Sequence, residues 1–353
     1  MNNAKNTLKR LTGYKLFLPF LCLALVLLIN VIKTPTFFAI TINNGVFYGY
    51  IIDVINRASE LVILAVGMTL VVAASGGTDI SVGAVSALAG ALCCFVLSGG
   101  QQTVNEYHAP YILGVLAAMA VGIICGAWNG FLVAKMKIQP MVATLILFTA
   151  GRGIAQLITE GQMIYVRVDH FKKLGGFIDG VPLPTPVFAA VLVVILTMFL
   201  LKKTALGLYI ETVGINAKAA RLVGLNSTMI QFLTYAYCGL CAGIAGLIIT
   251  SRVYSIDANN AGLNMELDAI LAVALGGNSL GGGKFSLAGS VIGAYTIQAL
   301  TTTLYAMGVS ADQIPVYKAI VVVIIVSLQS PELSKIWKNA KKKIGGGARK
   351  KVA

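Results

Sequence analysis

Charge is what this chain has least of. Only 11% of its 353 residues are Asp, Glu, Lys or Arg and mean hydropathy is +0.84, where soluble domains carry roughly 25% charged residues. A soluble globular fold is excluded on that ground. Histidine is almost missing: His108 and His170 stand apart in stretches between apolar runs, without metal-ligand spacing, which leaves no candidate metal site and no plausible centre for a membrane-embedded enzyme. A nucleotide-hydrolysis motif is missing too. The nearest stretch, Gly277 to Phe285, has Asn278 where a phosphate loop needs Gly and Phe285 where it needs Ser or Thr, and it follows an apolar run rather than a strand. Acids are few against bases, 13 to 27, giving a net charge of +14. That excess does not point to nucleic acid, because the basic residues cluster in short loops and at the two ends, as the positive-inside bias requires.

Apolar runs fill the rest. Ten of them lie at roughly 16–32, 60–75, 80–98, 111–134, 141–158, 186–201, 231–250, 266–277, 286–307 and 316–329. A straight span needs about 20 residues, so the shorter, Gly-interrupted runs read as broken helices lining a pathway. The expectation is an all-α polytopic helical membrane protein of about ten transmembrane helices; eight spans with re-entrant hairpins is the alternative. Lys135 and Lys137, Lys202, Lys203, Lys218 and Arg221, and the basic tail fall on one side if the N-terminus is cytoplasmic. This divides the chain into a cytoplasmic N-terminus (1–15), a membrane domain (16–329) with a cytoplasmic loop at 202–230, and a basic cytoplasmic tail (330–353) that would lie on anionic membrane lipid. The six cysteines all sit in apolar runs, and the Cys238-x-x-Cys241 pair reads as small packing residues. Stripes such as Gly122-x3-Gly126-x3-Gly130 and Gly239-x3-Gly243 would let helices approach closely.

Two polar interruptions stand out. The first, Gly76-Gly77-Thr78-Asp79, separates two apolar runs, and backbone of this kind is tolerated at membrane depth only where protein or a watery cavity satisfies it. A second Gly-rich turn follows Glu266 and Asp268, and the stretch from Glu266 to Ala294 echoes Glu60 to Ala91, a weak internal repeat of two halves. Ionisable groups at membrane depth are Asp79, Arg152, Glu60, Glu266, Asp268 and Lys318, functional candidates by default. Arg152 and Gln156 stand one turn apart on the fifth run, and Asn129 sits beside Trp128 on the fourth. Asp257, Asn259 and Asn260 fall in an external loop.

The longest cytoplasmic loop carries Gly214-Ile-Asn-Ala-Lys-Ala-Ala-Arg-Leu-Val-Gly224. Asn216 is an N-cap, Ala217 to Val223 are mostly helix formers and Gly224 is a stop, so a helix of about two turns is expected, too short to stand undocked. This Gly-x-Asn-x-x-Ala-Ala-x-x-x-Gly loop resembles the coupling loop of ABC importer permeases, in the form of the ribose/galactose branch. Gly67 to Ala84 and Glu266 to Gly283 resemble the same branch, and Asp53 to Ala58, Ala143 to Thr159 and Asp257 to Leu263 are similar to a galactofuranose importer permease. The resemblance runs from about residue 50 to 330.

That resemblance implies a non-enzymatic transport subunit in a bacterial plasma (inner) membrane, with both termini cytoplasmic. It would import a monosaccharide, galactofuranose or a related sugar. Its partners would be a separate ABC ATPase subunit, which holds the ATP and Mg, a second permease, identical or homologous, and an extracytoplasmic sugar-binding protein. No cofactor would be bound by this chain itself. Gly214, Asn216, Ala219, Ala220, Arg221 and Gly224 would couple to the ATPase. Gly76, Gly77, Asp79, Asn129, Arg152, Gln156, Glu266 and Asp268 are candidates for the translocation path, and Asp257, Asn259 and Asn260 for docking of the binding protein. An ion-coupled secondary transporter is the alternative; it would use the intramembrane carboxylates but gives no reason for the 214–224 loop.

Overall fold

A computed structural model describes residues 16–43 and 45–329. The N-terminal segment and the basic tail expected above lie outside the described residues. A helix covers each of the ten apolar runs. These are α1 (Phe17–Lys33), α2 (Tyr50–Ser75), α3 (Val82–Ser98), α4 (Tyr111–Gly130), α5 (Pro140–Ile158), α7 (Thr185–Lys203), α10 (Ser227–Val253), α11 (Met265–Leu275), α12 (Leu287–Ala306) and α13 (Ile314–Gln329). Between them lie α6 (Asp169–Gly175), α8 (Leu206–Ile215) and α9 (Ala217–Leu222). Among the described residues, five helices are long and apolar enough to cross a membrane: α2, α4 with its π-helical continuation to Lys135, α5, α7 and α10. At about 1.5 Å per residue, the 11 residues of α11 cannot cross alone, as expected for a broken helix.

The bundle is built around α2. Over its most apolar 18 residues 94% are buried, and a helix apolar on every side belongs in the middle of a bundle. It packs against α10, α12, α7, α11 and α8. α10 is the second hub, lying along α4 and α3. Lipid gives no hydrophobic drive between helices, so close backbone approach has to supply it. The α4–α10 seam does so: a Cβ on Gly126 would lie 2.9 Å from the Gly239 Cα, and one on Gly239 2.8 Å from the Gly126 Cα. The two glycine stripes therefore face each other, and no side chain fits between them. Cys238 and Cys241 pack on Gly67 of α2, where an added Cβ would meet them at 2.9 to 3.2 Å. Neither is in a disulfide, which agrees with a packing role.

Short strands appear where the sequence suggested only loops. β1 (Thr41–Asn43) and β2 (Val46–Tyr48) form a hairpin. β3 (Thr103–Val104), β4 (Ile164–Val166) and β5 (Ser255–Ile256) make a three-stranded sheet, β3–β4 parallel and β4–β5 antiparallel. The sheet ties together the three loops at the far end of α3, α5 and α10. Strands of two or three residues from distant loops leave no periodic signal.

Candidate functional site

The polar turn after α2 folds inward. Gly76 closes the helix with φ of +63°, and its position is occupied closely: a Cβ there would lie 2.8 Å from the Gly281 carbonyl oxygen. Gly77 is pressed against Pro140 at the start of α5. Asp79, 2% exposed, accepts from the Ser81 backbone N–H at 2.9 Å and from its hydroxyl at 2.6 Å. Asn129 on α4 donates from Nδ2 to Ser81 Oγ at 2.9 Å and approaches both Asp79 oxygens at 3.4 and 3.5 Å. Its Oδ1 is buried without a hydrogen-bond partner. Trp128 is 52% exposed and stacks on Phe131, away from this cluster, so Asn129 and Trp128 do not form one surface.

A second cluster lies around α5. Arg152 and Gln156 both reach the turn at 257–261 rather than each other. The Arg152 guanidinium donates to the carbonyls of Ala258 (2.9 Å), Asn259 (2.6 Å) and Ala261 (3.3 Å), and Gln156 Nε2 donates to Asn259 Oδ1 at 2.5 Å. Asp257 organises the same turn, accepting from the Asn259 N–H at 2.9 Å and from Asn260 Nδ2 at 2.6 Å. The next element, α11, begins with Glu266, buried at 3% exposure and packed under Gly83 of α3. Glu266 Oε2 and Arg152 Nε are both buried without hydrogen-bond partners. Three of the path candidates, Arg152, Gln156 and Glu266, thus lie with the docking candidates at the 257–261 turn and the start of α11.

At the opposite end of α2 from Asp53 sits the loop at 202–230. Asn216 caps α9, its side chain accepting from the N–H groups of Lys218 and Ala219, each at 3.0 Å. α9 ends at Leu222 and Gly224 follows with φ of +85°, as the residue types require. Its outer face carries Lys218, Ala219, Arg221, Leu222 and Val223, with Leu222 89% exposed. Its inner residue, Ala220, is fully buried against Ile210, Val213 and Ile230. Arg221 is steadied by Ser227 Oγ, 2.6 Å from its Nε. Burial, and then the nearby Arg221, hold Lys137 below the ordinary lysine range. Gly214 is not on the exposed face. It lies where α8 meets the end of α2, and a Cβ there would overlap the Ala73 carbonyl and come within 2.7 Å of the Gly283 nitrogen. The Gly283 N–H donates to Ala73 O at 2.9 Å, Gln231 Nε2 donates to Ala74 O at 3.1 Å, and Gly282 lies against Gly76 and the Gly214 carbonyl. Both Gly-rich turns and the base of the loop therefore meet backbone to backbone.

The remaining intramembrane charges are paired. Asp268 on α11 is held by Lys318 of α13 at 2.8 Å. Glu60 on α2 is held by Arg252, which also donates to Asn56 Oδ1 at 3.1 Å. Arg252 was invisible as a partner because it closes an apolar run and reads as a loop residue. Also missed was Asn278, whose side chain accepts from the Ser286 N–H (2.6 Å) and donates to Ser290 Oγ (2.8 Å), while Thr69 of α2 donates to the same hydroxyl (2.7 Å). The one available signal is an Asn inside a run of glycines, where a side chain must replace lost backbone bonds.

Residues 50–328 match the family model described as branched-chain amino acid transport system / permease component. The galactofuranose transporter permease of Escherichia coli (strain K12) is 46% identical over 319 residues, 90% of this chain and 91% of that protein. A fructose import permease of Bifidobacterium longum (strain NCC 2705) is 38% identical over 96% of this chain and 94% of its own length. The ribose import permease of Escherichia coli (strain K12) is 38% identical over 86% and 91%. No solved structure matches the chain.

Proposed function

The chain belongs to the family of branched-chain amino acid transport system permease components, and from that premise we propose how this sugar importer permease couples and conducts. It is the membrane subunit of an ABC importer for sugar, as its relatives are, and not an ion-coupled carrier. Two of the carboxylates that a carrier would need, Glu60 and Asp268, are committed to Arg252 and Lys318. The cargo is galactofuranose or a related monosaccharide, a reading supported by the 46% identity to the galactofuranose permease.

The observation that carries the coupling scheme is the junction of Gly76, Gly214 and Gly281–Gly283. A separate ATPase subunit would receive α9, whose apolar tip, Leu222 and Val223, is flanked by Lys218 and Arg221. This suits an apolar groove with acidic edges. Closure of the ATPase pair on ATP would push α9; Asn216 and Gly224 keep it a rigid short helix, and Ala219 and Ala220 allow close seating on either side. The push reaches the end of α2 and both Gly-rich turns through Gly214 without an intervening side chain. The Asp79–Ser81–Asn129 cluster hangs on the first turn and Glu266 stands at the head of the helix before the second.

Sugar would enter from a binding protein docked near Asp257, Asn259 and Asn260, on the side away from α9, and the chain would sit in the bacterial inner membrane with α9 cytoplasmic. Asn129 Oδ1, Arg152 Nε and Glu266 Oε2 are buried polar atoms left unpartnered, each costing about 1–3 kcal/mol until satisfied. A passing polyhydroxylated ring supplies both donors and acceptors to them, which favours a polar path of weak, successive contacts over one tight site. A second permease, a copy or a homologue, completes the path. The test is uptake of labelled galactofuranose, galactose, fructose and ribose into proteoliposomes holding this chain with its ATPase and second permease, the binding protein outside. Preference for galactofuranose supports the substrate; preference for another of the four reassigns it, and uptake of none overturns the sugar reading.

A further inference from the structure

A cavity of about 330 Å³ opens between α4, α7, α8 and α10, beside α2, at the level where α7 turns into α8. Its walls include Leu70, Ile123, Leu201, Ile210, Leu233 and Tyr237. The few polar groups there are already spent: Thr197 donates to Val193 O (2.6 Å) and shares a 2.5 Å bond with the Tyr237 hydroxyl, and Thr234 donates to Gln231 O (2.7 Å). A sugar would find nothing to bond with, so the cavity is not a stretch of the path.

The helices on either side identify the surroundings. α7 turns Leu192, Leu196 and Phe199 outward, each at least half exposed, and α4 turns Leu116 and Ile124 outward, at 53% and 66%. Such faces on membrane helices meet lipid. The cavity is the recess between them, of a size usual for ligand sites. If a methylene takes about the same ~30 Å³ as a water molecule, it holds about ten of them, most of one acyl chain. The wall residue Leu201 is followed directly in the chain by Lys202 and Lys203, both exposed. Two lysines at the membrane surface favour a negative headgroup, and a zwitterionic one gains little.

We propose that this recess binds one anionic phospholipid, its acyl chain between α4, α7 and α10 and its phosphate on Lys202 and Lys203. The recess is floored by α8, through Leu206 and Ile210, and α8 runs into Gly214 and α9. The lipid would thus bear on the element that carries the push from the ATPase, and transport would respond to the inner-leaflet anionic lipid content.

The test is native mass spectrometry of the full chain, purified in mild detergent and exposed to mixed micelles of phosphatidylglycerol or phosphatidylcholine. The parent retains one phosphatidylglycerol, with at least a five-fold preference over phosphatidylcholine. The doubly substituted Lys202→Gln/Lys203→Gln chain, altered only at exposed positions, loses the preference. Ala236→Trp, which fills the recess, loses retention of both lipids. Equal retention of the two lipids by the parent overturns the proposal. So does a preference that survives loss of both lysines, or a second copy of the chain occupying this face with no lipid retained.

Discussion

Replacing Gly214 with Ala puts one methyl group into the junction beneath the coupling helix. The new Cβ would stand 2.7 Å from the Gly283 nitrogen and would overlap the Ala73 carbonyl. Ordinary contact starts near 3.4 Å, so even the easier side must open by about 0.7 Å. Both obstructing groups are backbone, and no rotamer change relieves them. Overpacking of this kind costs about 1–3 kcal/mol. The Gly283 N–H to Ala73 O bond, 2.9 Å long across the same gap, is worth about 1 kcal/mol more. The strain is released most cheaply by moving α8 away from α2, since α8 lies at the edge of the bundle and α2 at its centre. The fold should survive and the linkage should not. In proteoliposomes with the ATPase, Gly214→Ala is expected to lower sugar moved per ATP hydrolysed at least five-fold, with thermal unfolding shifted by only a few degrees. Gly153→Ala on α5, where a Cβ meets nothing within 4 Å, should leave the ratio unchanged. An unaltered ratio in Gly214→Ala, or an equal loss in Gly153→Ala, would refute the junction as the route of the push.

Other consequences can be checked separately. Leu222→Asp places a charge on the 89% exposed tip of α9; it should change thermal stability by less than about 0.5 kcal/mol yet weaken ATPase co-purification at least ten-fold. Arg252→Met strands the buried Glu60 carboxylate and should cost about 3–5 kcal/mol, read as a lower unfolding temperature in detergent, with Glu60→Gln on the same chain recovering most of it. Asp79→Ala leaves the Ser81 N–H and hydroxyl and the Asn129 amide short of their acceptor, an expected loss of about 1–3 kcal/mol, whereas Asp79→Asn, which keeps one carbonyl oxygen, should lose less than half of that.

What could be read from the sequence was whatever is local. Asn216 and Gly224 announce a short capped helix because capping and left-handed backbone each demand few residue types. The apolar runs announce spans because lipid leaves backbone no other solution. The ends of the polar turns were equally legible, since Gly76 and Asp79 have no business in lipid. Pairings across the fold were not. Arg152 and Gln156 looked like partners at i and i+4, but the turn at 257–261 offers three carbonyls and an amide within reach and takes both. Glu60 and Asp268 stood out as acids at membrane depth and not as ion-pair partners, because the cations that hold them, Arg252 and Lys318, lie far along the chain. Gly214 looked like part of a docking face because its role depends on Ala73 and Gly283, 141 and 69 positions away in the numbering. The three-stranded sheet is the extreme case, two or three residues from each of three loops.

The most direct test of the central claim is the energy source. The assembled importer, with sugar and binding protein outside, is given or denied ATP inside the vesicle, with and without an ionophore. Uptake that requires ATP, ignores the ionophore and falls at least ten-fold in Leu222→Asp is the result expected of a permease driven through α9. Uptake that proceeds without ATP and collapses with the ionophore would contradict it.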